Sequence, residues 1–308
     1  IYVSDALTTP QACLVSVEGQ TSNQTIAYSN GWCNGSISLA NANEGNSTLY
    51  IYANDSAGNY GLNNSYVVWI DDTAPSLVLI SPQNTTYNYK TNIPLNYTVS
   101  DINLQSCWYT NISGSNVTLA NCQNITFNVT NDGTYTITIY ANDTAGNINS
   151  TTVTFTVDTT PPLASFGTNP PNNYITNSQS ITFDLKCSDN IAVGVLQLYG
   201  SWGGWGVKAA NSTPYNDTVW STTISSIPEG TWLWGVRCND TAGNEDWTDT
   251  NRTFIVDITP PTIALPFYAN ATIKKSSSTL TLNIYVSDAL TTPQACLVSV
   301  EGQTSNQT

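Results

Sequence analysis

One motif occurs three times along the chain and sets the kind of structure it can form. The motif reads YANDSAGN at 52–59, YANDTAGN at 140–147 and RCNDTAGN at 237–244. Asn and Asp side chains bond to their own backbone, and Gly and Asn accept positive φ. The motif therefore predicts a tight connection between two paired β-strands in each of three similar units.

A proline-terminated segment follows each copy of the motif. These segments are Asp72-Thr-Ala-Pro75, Asp158-Thr-Thr-Pro-Pro162 and Asp257-Ile-Thr-Pro-Pro261, so their first residues lie 86 and 99 residues apart. Proline cannot donate to a sheet ladder, and each segment ends a β-rich run. They predict short, stiff linkers between domains of β-sandwich size.

Alternation of residue types identifies the strands within each unit. Apolar or aromatic residues alternate with Thr or Asn at 279–286, 134–140 and 151–157. Such a pattern buries one face of a strand and leaves the other in solvent. No stretch has a helical period. We predict an all-β protein made of tandem immunoglobulin-like β-sandwich domains.

The first 25 residues recur without change at 284–308, which gives a repeat of 283 residues. An identity of this length makes the chain one period of a longer repeat. With the proline linkers as boundaries, the period holds three domains. We predict the closing part of a first domain at 1–71, a second domain at 72–157, a third at 158–256, and at 257–308 the opening part of the next copy of the first.

The hairpin motif, the final strand and the Asp-Thr-Thr-Pro-Pro linker together resemble the tandem Ig-like repeats of large bacterial and archaeal cell-surface proteins. The aromatic residues Tyr135 and Trp232 near the start of the penultimate strand are similar to the tyrosine corner of Ig-type sandwiches. The resemblance covers the whole chain. It implies a shaft, surface-layer component or adhesin, located outside the cell.

Cysteine positions predict three disulfides. Val99 and Ala141 of the second domain correspond to Cys187 and Cys238 of the third, and this joint replacement predicts a core disulfide between the two. Cys13 is expected to pair with Cys33, and Cys107 with Cys122. Cys296 is the second copy of Cys13, so six cysteines remain per period. An even set indicates an oxidising, extracellular compartment.

Asn-X-Ser/Thr sequons are twice as frequent as chance allows. With 37 Asn and 76 Ser plus Thr, about 9 are expected and 19 occur. The excess predicts an N-glycosylated protein, although Asn54, Asn142 and Asn239 lie in the hairpin motif and also serve turn geometry. The sites are Asn23, Asn34, Asn46, Asn54, Asn63, Asn84, Asn96, Asn111, Asn116, Asn124, Asn128, Asn142, Asn149, Asn211, Asn216, Asn239, Asn251, Asn270 and Asn306.

Six of the nine tryptophans lie in the third domain. Trp232 and Trp234 share one face of a strand, which favours a core position. Trp202 and Trp205 lie among glycines, and two interpretations stay open for them. Their rings face outward as a ligand-binding loop for sugars or a neighbouring protein, or they fold back over the sandwich.

Acidic residues cluster at the predicted junctions, with Asp71, Asp72, Asp158 and Asp257 in the linkers and Asp101 and Asp189 at strand ends. Calcium takes six to eight oxygen ligands, and one or two Asp per junction fall short of that. We therefore expect Asp-capped turns and no resident cofactor, with interdomain calcium as the alternative.

Composition excludes other classes of function. A net charge of −14 repels phosphate backbones, so nucleic acid is not an expected partner. With no histidine, the chain cannot form a Ser-His-Asp triad or a Cys-His pair, and no other catalytic frame is recognisable. We predict no enzyme activity. No apolar run reaches the roughly 20 residues that span a membrane.

The expected function is structural. We predict a glycosylated, disulfide-stabilised shaft or filament on the cell surface, and the alternative is an adhesin that binds glycans through Trp202 and Trp205. The expected partners are N-linked glycans and further copies of the repeat, joined head to tail. Copies that are continuous in one chain explain the repeated 25 residues more simply than separate subunits do.

Overall fold

The structure, a computed structural model, describes residues 2–264 and 284–298. Asn270, Asn306 and most of the strand expected at 279–286 lie outside the described residues. Within those ranges all regular structure is β except a single 3-10 turn at Ala120–Cys122, which confirms the all-β, Ig-like prediction.

The chain divides into two compact units. One contains 1–84, 91–128 and 135–155, and the other contains 85–90, 129–134 and 156–308. The predicted domain boundaries stay a prediction, and the sheets are described below by the ranges in which they lie.

Residues 10–70 form one antiparallel five-stranded sheet. Its strands are β1 (Pro10–Val17), β2 (Gln24–Ser29), β3 (Trp32–Asn34), β4 (Gly45–Asp55) and β5 (Tyr60–Ile70). Their order is β3-β2-β1-β4-β5. Cys13, Val15, Ile26 and Cys33 form its buried cluster. Alternate positions of β1 supply Cys13 and Val15, as period-two patterning requires.

Residues 76–157 form two sheets. Their strands are β6 (Ser76–Ser81), β7 (Thr86–Tyr87), β8 (Ile93–Ser100), β9 (Leu104–Thr110), β10 (Asn116–Leu119), β11 (Ile125–Phe127), β12 (Gly133–Asp143) and β13 (Ile148–Val157). The larger sheet has the order β10-β9-β12-β13-β7, and the smaller has β11-β8-β6. Ile93 and Leu95 are fully buried on the smaller sheet, as is Ile139 on the larger.

The solvated face of β12 and β13 carries the predicted threonines in register. Hydroxyl oxygens of facing residues lie within hydrogen-bond distance at Thr136 and Thr154, 3.0 Å apart, and at Thr138 and Thr152, 2.9 Å apart. Cross-strand Thr pairs of this kind stabilise a sheet without charge. This explains how a chain with few charged residues forms polar strand faces.

Residues 163–256 form another pair of sheets. Their strands are β14 (Leu163–Phe166), β15 (Tyr174–Thr176), β16 (Ile181–Ser188), β17 (Val193–Gly200), β18 (Gly206–Asn211), β19 (Thr218–Ile224), β20 (Gly230–Asp240), β21 (Glu245–Trp247) and β22 (Arg252–Val256). One sheet is β14-β16-β19, and the other is β15-β22-β20-β17-β18 with β21 paired to β20. A separate two-stranded antiparallel pairing contains β23 (Thr262–Ala264) and β24 (Tyr285–Ser287).

The core of this third sandwich lies between its two sheets. Phe183 of β16 meets the fully buried Trp234 of β20 at 5.1 Å between ring centroids. Leu196 and Leu198 of β17 are fully buried as well. Trp232 is partly buried against the same cluster, in agreement with the core position predicted for this tryptophan pair.

The structure contains the three predicted disulfides, Cys13–Cys33, Cys107–Cys122 and Cys187–Cys238. Cys187 belongs to β16 and Cys238 to β20, so this bond joins the two sheets of the third sandwich. Cys122 ends the 3-10 turn and ties it to β9. Cys296 is an exposed free thiol.

Of the two interpretations left open for the loop tryptophans, the structure supports the inward one for Trp202. Its side chain is 8% exposed, and its ring lies 5.5 Å from Phe183 and 5.4 Å from Phe254. Trp205 is 48% exposed. Because Gly200 has no side chain, the Trp202 ring can fold back over the sandwich and bury a large apolar area there. A ligand surface formed by Trp202 and Trp205 together is therefore not present.

The close approach of Trp202 to Gly200 predicts a matched pair of mutant effects. A Cβ at Gly200 would lie 2.2 Å from the Trp202 ring, whereas a Cβ at Gly206 would meet no atom within 4 Å. Gly200→Ala should destabilise the fold by about 1–3 kcal/mol through overpacking, and Gly206→Ala should change it by less than about 0.5 kcal/mol. Urea denaturation followed by tryptophan fluorescence measures both. Equal midpoints for the two variants would contradict the packing described.

Candidate metal centre

Each hairpin motif holds its aspartate in a fixed position. In the turn after β20, Asp240 Oδ1 accepts the backbone amides of Ala242 and Asn244, each at 2.9 Å, and Oδ2 accepts Nδ2 of Asn244 at 2.7 Å. The side chain of Asp240 is almost completely buried. The motif is therefore more than a turn, because it presents a buried carboxylate at the end of the sheet.

The linker is attached to the same turn. Nδ2 of Asn244 also donates to the backbone carbonyl of Asp158, at 3.0 Å. A third aspartate, Asp189, follows β16, and its Oδ1 accepts the backbone amides of Ile191 at 2.7 Å and Ala192 at 2.8 Å. Three segments distant in sequence thus direct one carboxylate each to a common point.

Asp158, Asp189 and Asp240 converge there. One carboxylate oxygen from each lies within 4.8 Å of the other two. Asp158 is fully buried, and its Oδ2 has no hydrogen-bond partner among the described residues, as is also true of Oδ2 of Asp189. Burial and then the negative charges of Asp189 and Asp240 raise the pKa of Asp158 to about 6. Two carboxylates of this acidic cluster therefore each keep one buried oxygen without a hydrogen-bond donor.

This donor set fits a hard divalent cation. All ligand atoms are oxygens, and carboxylates binding through one or two oxygens are the ligands that Ca²⁺ prefers. Buried charges are stable only when paired or bound to a metal, and a cation would satisfy both orphan oxygens at once. Among the described residues, no cationic side chain is available to neutralise these carboxylates. Lys90 is paired with Asp132 instead.

A similar cluster consists of Asp71, Asp101 and Asp143, with oxygens again within 4.8 Å of one another. Asn147 ties the Asp71 carbonyl to the hairpin, as Asn244 does for Asp158. One contact differs, because Nδ2 of Asn103 donates to Oδ2 of Asp71 at 3.0 Å. Part of the negative charge is thus already satisfied, and we expect this cluster to bind a cation more weakly.

The first domain carries parts of the same arrangement. Asp5 and Asp288 occupy one position of the repeat. The Thr291 hydroxyl donates to Oδ2 of Asp257 at 2.6 Å and lies 3.3 Å from Oδ1 of Asp288, so the linker aspartate and the strand-end aspartate are neighbours here as well. The hairpin aspartate of this domain is Asp55, which lines the same surface pocket as Asp5.

Beside the Asp158 cluster, Asp132 fixes the linker from the other side. Its carboxylate accepts the amide of Thr159 at 3.0 Å and the hydroxyl of Thr160 at 2.5 Å, and pairs with Lys90 at 3.1 Å. Although burial alone would raise the pKa of Asp132, these donors hold that pKa well below its usual range. Glu44 and Glu229 accept the hydroxyls of Thr73 and Thr259 in the corresponding linkers.

Neutralising Asp132 should therefore weaken the fold around the linker. Asp132→Asn removes two or more charge-assisted acceptor contacts, and we expect a loss of about 2 kcal/mol. Asp217→Asn is the control, because Asp217 is 70% exposed in its pair with Lys186 and such pairs contribute at most about 1 kcal/mol. Chemical denaturation of both variants measures the difference. If Asp132→Asn loses no more unfolding free energy than the control, Asp132 does not hold the linker in the way described.

Sequence reasoning found part of this site. The sequence places Asp71 and Asp158 in the linkers and Asp101 and Asp189 at strand ends, and the structure brings all four into the two clusters. Asp72 and Asp257 lie outside both. Asp143 and Asp240 are not among the predicted site residues, because the hairpin motif by itself indicates only turn geometry. The signal for them was available, since the same aspartate occurs in all three copies of the motif.

The sequon asparagines lie at the surface. Among the 17 that the structure describes, none is buried. Their amide nitrogens differ, because Nδ2 of Asn142, Asn149 and Asn216 donates to Gln105, Pro75 and Asp189, respectively. Those three amides are engaged in structural contacts, so exposure alone does not make all sites equivalent.

Comparison with known families places this architecture. Residues 84–159 match the model of a bacterial Ig-like domain, and residues 217–308 match the model of a group 3 bacterial Ig-like domain. Two parts of the chain thus match bacterial Ig-like domains, which confirms the Ig-like family resemblance. No curated protein matches the chain.

Several solved structures resemble parts of the chain at low identity. The tetra-tandem repeat in the extending region of a large adhesion protein is 19% identical over 84% of this chain and 71% of that one, with a TM-score of 0.38. Fibronectin(III)-like modules of Clostridium thermocellum CbhA are 15% identical over 59% and 94%, at 0.36. Immunoglobulin domains 1–5 of Sidekick-1 are 14% identical over 83% and 55%, at 0.39.

Ig-like repeats of this kind are typical of extracellular adhesins and structural proteins. Disulfides are consistent with that location. In the ranges that the structure describes, no helix has the length and apolar character needed to cross a membrane.

Proposed function

We propose that the chain is a segment of an extracellular, glycosylated shaft or filament in which calcium fixes the linkers to the Ig-like domains that follow them. The observation that carries this proposal is the buried Asp158, whose Oδ2 has no hydrogen-bond partner and which has a carboxylate oxygen within 4.8 Å of oxygens of Asp189 and Asp240. A repeat protein that acts as a spacer needs linkers with a defined geometry. A cation at this point supplies one.

The mechanism is electrostatic. Without a cation, three carboxylates repel one another in a site with little access to water, and the linker gains by moving Asp158 away. With Ca²⁺ bound, the same three charges become ligands, and the linker, the end of β16 and the hairpin turn after β20 are held together. Extracellular calcium sites in proteins commonly have dissociation constants of about 10⁻⁴–10⁻³ M, which suits a protein outside the cell.

Limited proteolysis tests this role on the full chain. Proteinase K should cleave within 156–162 in the presence of a chelator and much more slowly in millimolar Ca²⁺, because the bound linker cannot enter the protease. Mg²⁺ at the same concentration is the control, since it requires a stricter octahedral geometry. Cleavage at the linker at equal rates with and without Ca²⁺ would overturn the proposal.

Glycosylation is the second part of the proposal, supported by the exposed sequons. Exposed acceptors such as Asn23, Asn34 and Asn46 should carry glycan in the mature protein. Asn142, Asn149 and Asn216 should be occupied less, because transfer would remove a hydrogen bond that Nδ2 donates. Peptide mass spectrometry after deglycosylation measures occupancy by Asn-to-Asp conversion. Unmodified asparagine at nearly every sequon would refute this part.

Assembly follows from the repeat. The partners that we propose are further copies of the 283-residue unit, joined head to tail in one continuous chain, and the identity of 1–25 with 284–308 supports this. Denaturing, reducing gel electrophoresis of the native material should then show bands far above the mass of one unit. A single band near one glycosylated unit would show that the copies are separate subunits.

A further inference from the structure

The outer face of the larger sheet of the third sandwich carries a row of aromatic side chains. Tyr199 of β17 lies 4.5 Å from Trp247 of β21 and 6.1 Å from Trp205, measured between ring centroids. Trp205 is 48% exposed and Trp247 38%. None of these three rings belongs to the buried core cluster. Aromatic surface left in solvent marks a binding site more often than isolated apolar residues do.

A sequon asparagine lies against this row. Gly235 is the register partner of Tyr199, and a Cβ at Gly235 would lie 2.6 Å from Oδ1 of Asn251. The absence of a side chain at Gly235 therefore lets the Asn251 amide rest on the sheet next to Tyr199. Asn251 is exposed and begins the sequon Asn251-Arg-Thr253.

The Asn251 amide also differs from those of the engaged sequons. Among the described residues its Nδ2 has no hydrogen-bond partner, whereas Nδ2 of Asn142, Asn149 and Asn216 donates to the protein. Modification at Asn251 would break no structural contact. The attached group would emerge beside the aromatic row.

We propose that the aromatic row of Tyr199, Trp205 and Trp247 is the docking surface for the chain's own N-linked saccharide at Asn251. This inference rests on the proposed glycosylation and specifies one site of it. The apolar C–H face of a pyranose ring is flat, and stacking it on aromatic rings covers the exposed surface of both. The occupant is covalently attached, so little translational freedom is lost on docking.

Attachment itself requires only a standard transfer. Nδ2 of Asn251 forms a bond to the anomeric carbon of the reducing-end sugar of a lipid-phosphate-activated saccharide, while the bond from that carbon to the phosphate oxygen breaks. The lipid phosphate leaves with the electron pair, and Nδ2 loses one proton to the transferase. No oxidation state changes.

Polar groups at the rim suit a sugar as well. Arg237, the register partner of Trp247, has its guanidinium carbon 5.7 Å from the centre of the Trp247 ring. Gln197 accepts from Nη1 of Arg237 at 2.7 Å and Glu245 accepts from its Nε at 3.0 Å, so the side chain is held in place. Flat aromatic surface edged by fixed hydrogen-bonding groups is the composition expected of a carbohydrate site.

The test uses the full 308-residue chain, produced in a secretory host that adds N-glycans. Native protein is treated with peptide-N-glycosidase in ¹⁸O water, and the release rate at each sequon is read from labelled Asp by peptide mass spectrometry. Release at Asn251 should be slower than the median of Asn23, Asn34 and Asn46 by roughly fivefold, the factor expected from one aromatic contact.

Three variants locate the effect. Tyr199→Ala with Trp247→Ala should raise the rate at Asn251 to that median, and Tyr199→Phe, which keeps the ring, should leave it slow. Leu163→Ala removes an exposed apolar side chain from the other sheet and should change nothing. If the double variant does not fold, ring-current upfield shifts of the Asn251 sugar protons in the unmodified chain give the same answer by NMR.

The remaining outcomes distinguish failure of the docking surface from failure of the proposed glycosylation. A saccharide at Asn251 that is released as fast as the others, with unshifted sugar protons, overturns the docking surface. If other sequons carry glycan and Asn251 does not, the docking surface is overturned, whereas the proposed glycosylated shaft is still supported. A chain without glycan at any sequon overturns the glycosylation on which this inference rests.

Discussion

Replacing Cys187 by valine and Cys238 by alanine should lower the free energy of unfolding of the third sandwich by about 4 kcal/mol in the chain-entropy account. The bond closes a loop between residues 51 apart, and it joins β16 of one sheet to β20 of the other. Both sulfur atoms are buried. A loss of this size is a large part of the stability of one domain.

Valine and alanine are chosen so that the measured loss of stability reports the disulfide bond rather than the packing of the side chains. Val99 and Ala141 occupy the corresponding two positions in the second domain, and Ala141 is fully buried there. Cys296→Ser, at an exposed thiol, is the control for loss of a cysteine. Thermal unfolding with and without reductant measures the effect. A double variant as stable as the oxidised parent would show that packing, rather than the bond, holds the sheets together.

Asp158→Asn should change stability in opposite directions with and without calcium. In chelator the variant should be more stable than the parent, because it removes one of three mutually repelling buried charges. In millimolar Ca²⁺ it should be less stable, because a ligand is lost. With a dissociation constant of about 10⁻⁴ M, 1 mM Ca²⁺ stabilises the parent by about 1.4 kcal/mol, and the variant forfeits most of this.

The change of sign between chelator and Ca²⁺ makes this test specific for a cation site. An ordinary structural aspartate would destabilise on mutation under both conditions. Asp217→Asn, in an exposed pair with Lys186, leaves the cluster intact and should gain stability from Ca²⁺ as the parent does. Melting temperatures of the three proteins in chelator and in Ca²⁺ give the comparison, and the same sign under both conditions for Asp158→Asn would contradict a cation site.

Local patterns predicted the elements of this fold well. Strand alternation and the hairpin motif depend on a few neighbouring residues, and the structure forms its strands and turns there, with Asp143 and Asp240 each accepting two or more amide donors. The Cys187–Cys238 pair was also accessible, because comparing the domains with one another provides long-range information that one domain lacks.

Contacts between residues that are distant in the sequence could not be predicted from local patterns. The Asp158 cluster depends on three segments that meet only when both sheets are formed, and no local spacing reveals it. Trp202 is ambiguous in the sequence because glycine neighbours permit either an outward or an inward ring, and only its packing against Phe183 and Phe254 decides. Asn251 beside Tyr199 depends on the register of β17 with β20.

Calorimetric titration of the full chain with Ca²⁺ tests the central proposal most directly. The parent should bind one ion at the Asp158 cluster and a second, more weakly, at the Asp71 cluster. Asp158→Asn should lose the tighter event, with an affinity lower by more than about a hundredfold, since even an outer-shell partner costs 10- to 100-fold. Asp217→Asn should titrate like the parent. Absence of binding in the parent, or an unchanged tight event in Asp158→Asn, would contradict the calcium-fixed linker.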